Sequence, residues 1–419
     1  MTVPGVGILR EPDVGATDVA GLLPAAAAAG AQVRSVLDAS ASLPAIDRPR
    51  AMVVVGGDAE GDTAFLTALV GANSPAPIVG APFLPPWVGP LDLVVVLASR
   101  ADDESAAESA GIARRRGATT IVRAAETGPV AEAAGPSLIA PVVAVPEALS
   151  VSARWSLLAV VAARAGLAQR VDLARTADLL DAISLACHPG AETFLNPGVN
   201  LAEYLGEGTP LLIGCDRLGD AIARHGASVL ADLGGVAAGV LTAEQAALSP
   251  GLLRRAAAGK DLFADPFDDG PSTQQIKPLL VSTAPEGGPG GRTTRAAADR
   301  MVLAGLLRSF SGAMHLDGSP DSLPAVAGPA DWSTQDTRFG GSGPDYGTPA
   351  GQPADAFDAA VAACVRLDFA AVYVGIATGQ LVPLDFPDGL GRVGGTRWAV
   401  RPATVGGSRE REQGMDTWN

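Results

Sequence analysis

The chain has 419 residues, 47% of them hydrophobic but only 4% aromatic, and carries a formal net charge of −15. Its length points to about two or three domains rather than one core. The acidic balance argues against a nucleic-acid backbone or an anionic membrane as partner, and Cys187, Cys215 and Cys364 are too scattered for a disulfide framework or a CxxC metal site.

The N-terminal segment lacks a basic region followed by an apolar run, so no signal peptide is expected. Residues 14–39 read as helix, with Pro24 near its first turns or breaking it. Met52–Val55 is a short buried strand that ends in Gly56, Gly57 and Asp58, and Thr63–Val70 reads as the next helix. Pro77–Val79 is a strand candidate, followed by the extended segment PFLPPWVGP and then the fully apolar strand Leu93–Leu97. Ser105–Arg116 reads as a helix closed by Gly117, Thr119–Val122 as a strand, Val130–Ala134 as a short helix and Val142–Val145 as a further strand. Ser152–Leu167 is an apolar helix. Its stretch from Trp155 to Leu167 is the longest helical apolar stretch recognised, interrupted by Arg164 and too short to span a bilayer. This alternation predicts a doubly wound parallel sheet over roughly 50–165.

A second copy follows. The segment VGGDAEGD (Val55–Asp62) aligns without gaps on IGCDRLGD (Ile213–Asp220), so Gly56, Asp58, Gly61 and Asp62 match Gly214, Asp216, Gly219 and Asp220. Both segments follow apolar strands and precede helices, which predicts two similar α/β domains in tandem. Farther on, Arg217–Leu233 reads as helix, Val236–Leu241 and Leu279–Val281 as strands, and Ala296–Phe310 and Phe357–Thr378 as helices. Stretches rich in Gly, Pro, Ser and Asp, about 283–294 and 317–353, read as flexible insertions.

Four groups of residues are candidates for chemistry. The paired Gly-Asp loops resemble loops that hold phosphate on backbone N–H groups, but GGDAEG is not GxGxxG, and Asp58 and Asp216 equally suit helix capping. In the loop after the apolar strand, Ser99, Arg100 and Ser105 suit an anion. Asp102, Asp103 and Glu104 oppose one and suit the positive end of the next helix. His188, His225 and His315 show no HxxxH or HExxH spacing, and no GxSxG is present, so neither a metal nor a cofactor is expected. Arg154, at the start of the apolar helix, either faces a cleft and steadies developing negative charge or lies at the surface with its stem packed down.

These residues carry a resemblance. The stretch PIVGAPFLPPWVGPLDLVVVLAS (77–99), the loop GGDAEGD (56–62), the helix start ARWSL (153–157) and the late segment LDFAAVY (367–373) are similar to the bifunctional phosphoglucose/phosphomannose isomerase family, built from two tandem sugar-isomerase (SIS) domains. The likeness is nearer still to a divergent actinobacterial, TobH-like branch. It implies a doubly wound α/β fold with parallel sheets flanked by helices. The implied division is an N-terminal helical segment (1–49), a first SIS domain (50–168), a second (169–385) and a tail (386–419). It also implies a sugar phosphate or related carbohydrate derivative as ligand, a homodimer, and a cytoplasmic location with no nucleic acid or membrane bound.

The departures fall on the family's chemistry. Its hydroxyl-rich phosphate loop is replaced by Ser99–Ser105 with three carboxylates, and the place of its glutamate base offers at best Asp232. The place of its ring-opening histidine falls near Leu248, and its late Thr and Lys fall near Pro383 and Leu390, with Arg392 nearby. The expectation is therefore a sugar-phosphate binding pseudoenzyme with weak or no isomerase activity. The alternative is an active aldose–ketose isomerase working through a cis-enediol with Arg154 and Asp232. The ligand-contact candidates are Gly56, Gly57, Asp58, Ser99, Arg100 and Ser105.

Overall fold

The computed structural model describes residues 18, 20–72, 74–139, 143, 145–257, 275–283, 313–317, 325–326, 356–379, 382–383 and 398–399. The helix expected over 296–310, most of both insertions, and most of the tail lie outside these residues.

The described residues form two five-stranded sheets and a two-stranded one, Val382–Pro383 with Trp398–Ala399. In the first, β1 (Met52–Gly56), β2 (Ile78–Ala81), β3 (Leu93–Leu97), β4 (Thr119–Arg123) and β5 (Leu138–Ile139) lie in the order β2-β1-β3-β4-β5. Every pairing in it is parallel. The period of two along these strands divides their side chains between two cores. Met52, Val54, Leu93, Val95 and Leu97 point into the large central core. Val53, Val55, Val94, Val96 and Ala98 point the other way. Because both faces are buried, MVVVG and LVVVL read as continuous apolar runs rather than alternating ones. The strand expected over 142–145 is not seen at the described residues 143 and 145; the edge strand lies earlier, at Leu138–Ile139, and residues 142 and 144 lie outside the described set.

The second sheet repeats the winding. Its strands β6 (Thr209–Gly214), β7 (Gly239–Thr242), β8 (Ile276–Ser282), β9 (Met314–Asp317) and β10 (Ala325–Val326) take the order β10-β9-β8-β6-β7. Only the outermost strand, β10, is antiparallel to its neighbour among the described residues. Leu212, Leu279 and Val281 face the same central core as the first sheet, so one helical layer serves both.

That layer holds α1 (Leu22–Ala27), α2 (Ala29–Ser40), α3 (Ala59–Val70), α6 (Val151–Arg164), α7 (Leu173–Ala186), α8 (Pro197–Gly206), α9 (Arg217–Asp232) and α12 (Ala356–Thr378). The outer helices of the first sheet are α4 (Glu104–Arg115) and α5 (Pro129–Ala134), and α10 (Ala243–Ala247) and α11 (Pro250–Ala257) cover the second. The helix expected over 14–39 is described as α1 and α2, with Pro24 inside the first.

The apolar stretch 155–167 is not the longest in the chain. The longest helix among the described residues, α12, spans 23 residues and is apolar and long enough to cross a bilayer, yet its whole apolar window is buried inside the protein. A helix that is hydrophobic all round needs neighbours on every side, and α7, α8 and α9 supply them. Several of its polar groups are paired. Asp358 accepts from Thr176 Oγ1 at 2.5 Å and binds Arg175 Nη2 at 2.7 Å. Tyr373 donates to the Cys187 carbonyl at 2.7 Å. Gly226 lets α9 approach, since a Cβ there would stand 2.7 Å from Leu212 Cδ2 and 2.9 Å from Leu367 Cδ1.

The segment that carried the strongest family likeness has a structural task. Arg50 donates to both carboxylate oxygens of Asp92, at 3.0 and 2.6 Å, and lies over the Trp87 ring. Gly89 N–H adds a third bond to that carboxylate at 2.8 Å. This clip ties the extended PFLPPWVGP connection to the entry of β3. Burial would raise the Asp92 carboxyl, but Arg50 and the backbone amides outweigh it and hold it below the ordinary range.

Candidate functional site

In doubly wound sheets, ligands bind beyond the carboxyl ends of the strands, where the strand order reverses. In the first sheet this point lies between β1 and β3, so Gly56-Gly57-Asp58 and Ser99-Arg100 are adjacent there. Gly56 is required by proximity: a Cβ on it would run into the Leu97 carbonyl. A Cβ on Gly57 would come 3.9 Å from Ser99 Oγ, so the two loops face each other.

The loop after β3 satisfies itself. Arg100 donates to both oxygens of Asp102 at 2.8 Å, an exposed pair. Asp103 accepts from Ala106 N–H at 3.0 Å and caps α4, Glu104 occupies its first turn, and Ser105 is half-buried beside them. An acidic first turn on a helix dipole is the physical result, and the loop's cation is already matched.

Behind β1 lies the feature with most charge in least space. Arg154, near the start of α6, is 6% exposed. Its Nη2 donates to Asp58 Oδ2 at 3.0 Å and its Nη1 to Glu147 Oε1 at 3.0 Å, while its Nε stands 3.3 Å from Asp62 Oδ1. Arg123, the last residue of β4, lies 3.6 Å from the other oxygen of Glu147. Burial alone would lower the basicity of Arg154, but Asp62, Glu147 and Asp58 more than offset it and keep the guanidinium firmly charged. Asp62 is pushed up to about 6, chiefly by burial, although Arg154 and the bond from Trp155 Nε1 (3.0 Å) pull it down.

Trp155 carries the network toward the second sheet. Its ring stacks on Phe65 at 3.9 Å and lies 6.2 Å from the His225 ring. His225 Nε2 shares a 2.7 Å hydrogen bond with Asp368 of α12, and both are buried. Burial raises the Asp368 carboxyl against the pull of His225. Asp62, Glu147, Trp155, Arg123 and Asp368 were not singled out in the sequence. The signals for them were indirect: the repeat paired Asp62 with Asp220, and Trp155 and Asp368 lie in the segments ARWSL and LDFAAVY that carried the resemblance.

The other candidates stand apart. Asp232 is exposed at the last residue of α9, seven positions beyond His225 and so about 10 Å farther along the helix axis. Leu248 is 83% exposed. Residues 390 and 392 lie outside the described set, and among the described residues no group of three or more His, Cys, Asp or Glu could hold a metal ion.

The repeated aspartates behave differently. Asp216 caps α9 by accepting from Gly219 N–H at 2.7 Å, and it also accepts from Thr283 N–H at 2.7 Å. Asp58 holds the same place before α3 but makes no capping bond and reaches Arg154 instead. In the second repeat Asp220 makes no ion pair among the described residues, and its buried Oδ1 has no hydrogen-bond partner there. Burial, then Glu244 and Asp216, push its carboxyl up to about 7 despite Arg224 and Arg217.

The folded protein therefore binds a proton at Asp220 that the unfolded chain, with a pKa near 3.8, releases earlier. Its contribution favours folding less as pH rises from about 4 to about 7, and above that range it is a full cost. Asp220→Asn is expected to raise the melting temperature relative to wild type at pH 8 and to lose that advantage near pH 4. Thermal unfolding across this range checks the sign.

No family model matches the chain, and no curated protein matches it. Solved structures do. The C-terminal domain of glucosamine-fructose-6-phosphate aminotransferase from Francisella tularensis aligns with a TM-score of 0.54 at 10% identity, covering 87% of this chain and 96% of that one. Tagatose-6-phosphate ketose/aldose isomerase from Escherichia coli aligns with a TM-score of 0.51 at 12% identity, covering 86% and 92%. At such identities the likeness is one of fold: this chain shares the α/β architecture of these two structures, with parallel sheets flanked by helices.

Proposed function

We propose that the protein binds a sugar phosphate or related carbohydrate derivative at the carboxyl edge of its first sheet, with weak or no isomerase activity. The observation that carries this reading is the split between Arg154 and its would-be partners. Arg154 is locked behind the switch-point loops, whereas Asp232 stands exposed at a helix end and Leu248 carries no proton. Isomerisation through a cis-enediol needs a base within hydrogen-bond reach of the substrate carbon that the arginine serves. The position of Asp232 speaks against that alternative. The fold shared with a glucosamine-fructose-6-phosphate aminotransferase and a tagatose-6-phosphate isomerase supports the ligand class. We take 50–168 and 169–385 as the two SIS units, and Gly57, Asp58 and Ser99 as the ligand-facing loop residues. The same reading makes the protein a cytoplasmic homodimer, by resemblance to the isomerase family and by its charge of −15.

A thermal-shift panel of hexose 6-phosphates tests this. Ligand at ~100 times its Kd is expected to stabilise the folded state by ~2.7 kcal/mol. The reading also expects no turnover in a coupled isomerase assay at high protein concentration. No shift with any member of the panel would remove the carbohydrate reading, and robust turnover would restore the isomerase one.

A further inference from the structure

We infer that Asp58 is a tethered stand-in for the ligand's anion, holding Arg154 Nη2 in the free protein and giving that position up to an oxyanion of the bound carbohydrate. This rests on the reading of the first sheet's edge as a carbohydrate site and says how that site opens. Two independent observations carry it.

The first is a charge balance. Without Asp58 the buried set is already neutral, with the guanidiniums of Arg154 and Arg123, each side chain 8% exposed, facing the carboxylates of Asp62 and Glu147, 2% and 29% exposed. Asp58 is the surplus anion, and its side chain is 60% exposed. A buried cation needs its inner partners because nothing else replaces them. An exposed carboxylate at its outer edge is screened by water and contributes little, so another oxyanion can exchange with it.

The second is that the fold shows this aspartate in two arrangements. The ladder registers equate Gly56 and Leu97 with Gly214 and Val281, so Ser99 of the first sheet corresponds to Thr283 of the second. In the second repeat Asp216 sits on Thr283 N–H and caps its helix. In the first, Asp58 has left both positions for an arginine 96 residues away. The capped arrangement is therefore open to Asp58 when a ligand takes Arg154. An aspartate carboxylate and a phosphate or sugar-acid carboxylate present the same chemistry to Nη2, a charged oxygen that accepts from a guanidinium N–H.

The test is calorimetric titration of the full chain, wild type against Asp58→Asn, with glucose 6-phosphate and with gluconate as probes. Removing the competing charge is expected to tighten at least one probe by about two- to five-fold, the scale of one exposed ion pair. The probe that tightens separates a phosphate from a carboxylate. Equal affinities for both proteins, or no binding of either probe by either protein, overturn the inference. Asp58→Ser, checked for folding by circular dichroism, repeats the test should the asparagine variant fold poorly. If wild type binds and the variant gains nothing, the inference falls while the carbohydrate reading stands. If only the variant binds, both fall, because Asp58 of the native protein then never gives Arg154 up to a ligand.

Discussion

Replacing Arg154 by methionine is expected to destabilise the protein by about 3–5 kcal/mol, the scale for removing one partner of a buried charge cluster. The loss comes from what remains. Asp62, with 2% of its side chain exposed, would keep one hydrogen bond from Trp155, and Glu147 would keep only Arg123 at 3.6 Å. Asp62 would then titrate still higher, since burial already pushes it up and its nearest cation would be gone. Adding Asp62→Asn to the Arg154→Met protein is expected to recover most of the loss, because the orphaned charge disappears with its partner. Urea unfolding of the single and double variants measures both effects. An unchanged midpoint for Arg154→Met would mean that the cluster contributes nothing to the fold.

Phe65→Ala is expected to cost about 3–5 kcal/mol, the usual range for deleting a buried aromatic ring. Phe65 is fully buried, stacks face to face on Trp155 with an interplanar angle of 5°, and lies 6.1 Å from Phe357 of the central helix. The ring holds the indole whose N–H reaches Asp62, so the cavity would also loosen the charge cluster. The two substitutions share Trp155, and residues that share a partner do not add. A Phe65→Ala/Arg154→Met double variant is therefore expected to lose less than the sum of the single losses. Full additivity in denaturant unfolding would show that Trp155 does not couple the aromatic stack to the charges.

Much of the sheet architecture was legible because buried parallel strands have an unmistakable local form. LVVVL and MVVVG can be little else, and the matching Gly-Asp turns at 56–62 and 214–220 marked two strand–turn–helix units of one kind. Elements whose local pattern is ambiguous were passed over. Leu173–Ala186 and Pro197–Gly206 mix apolar and polar residues without a clean boundary, although Asp172 and Asn196 cap them in the ordinary way. Phe357–Thr378 was recognised as a helix, but not as the buried axis to which both sheets contribute packing.

The site was half legible. Arg154, Asp58 and the 99–105 loop were visible as residues, because a charge beside an apolar run or a glycine pair stands out locally. Their relations were not visible. Asp58 and Asp216 hold the same position in the same repeated segment, yet one reaches an arginine and the other caps its helix. Nothing local distinguishes them. The difference is made by α6, which brings the Arg154 guanidinium from 96 residues away against the first loop.

The sequence alone thus determined most of the strands and the α/β winding of the two sheets. Both are properties of periodicity and of which side-chain types are present. Only the tertiary structure decided that Arg154 is enclosed by three carboxylates, that Asp232 lies outside, and that His225 is paired with Asp368 in the core. Those facts depend on long-range packing through the shared helical layer, and short-range propensity carries no information about it.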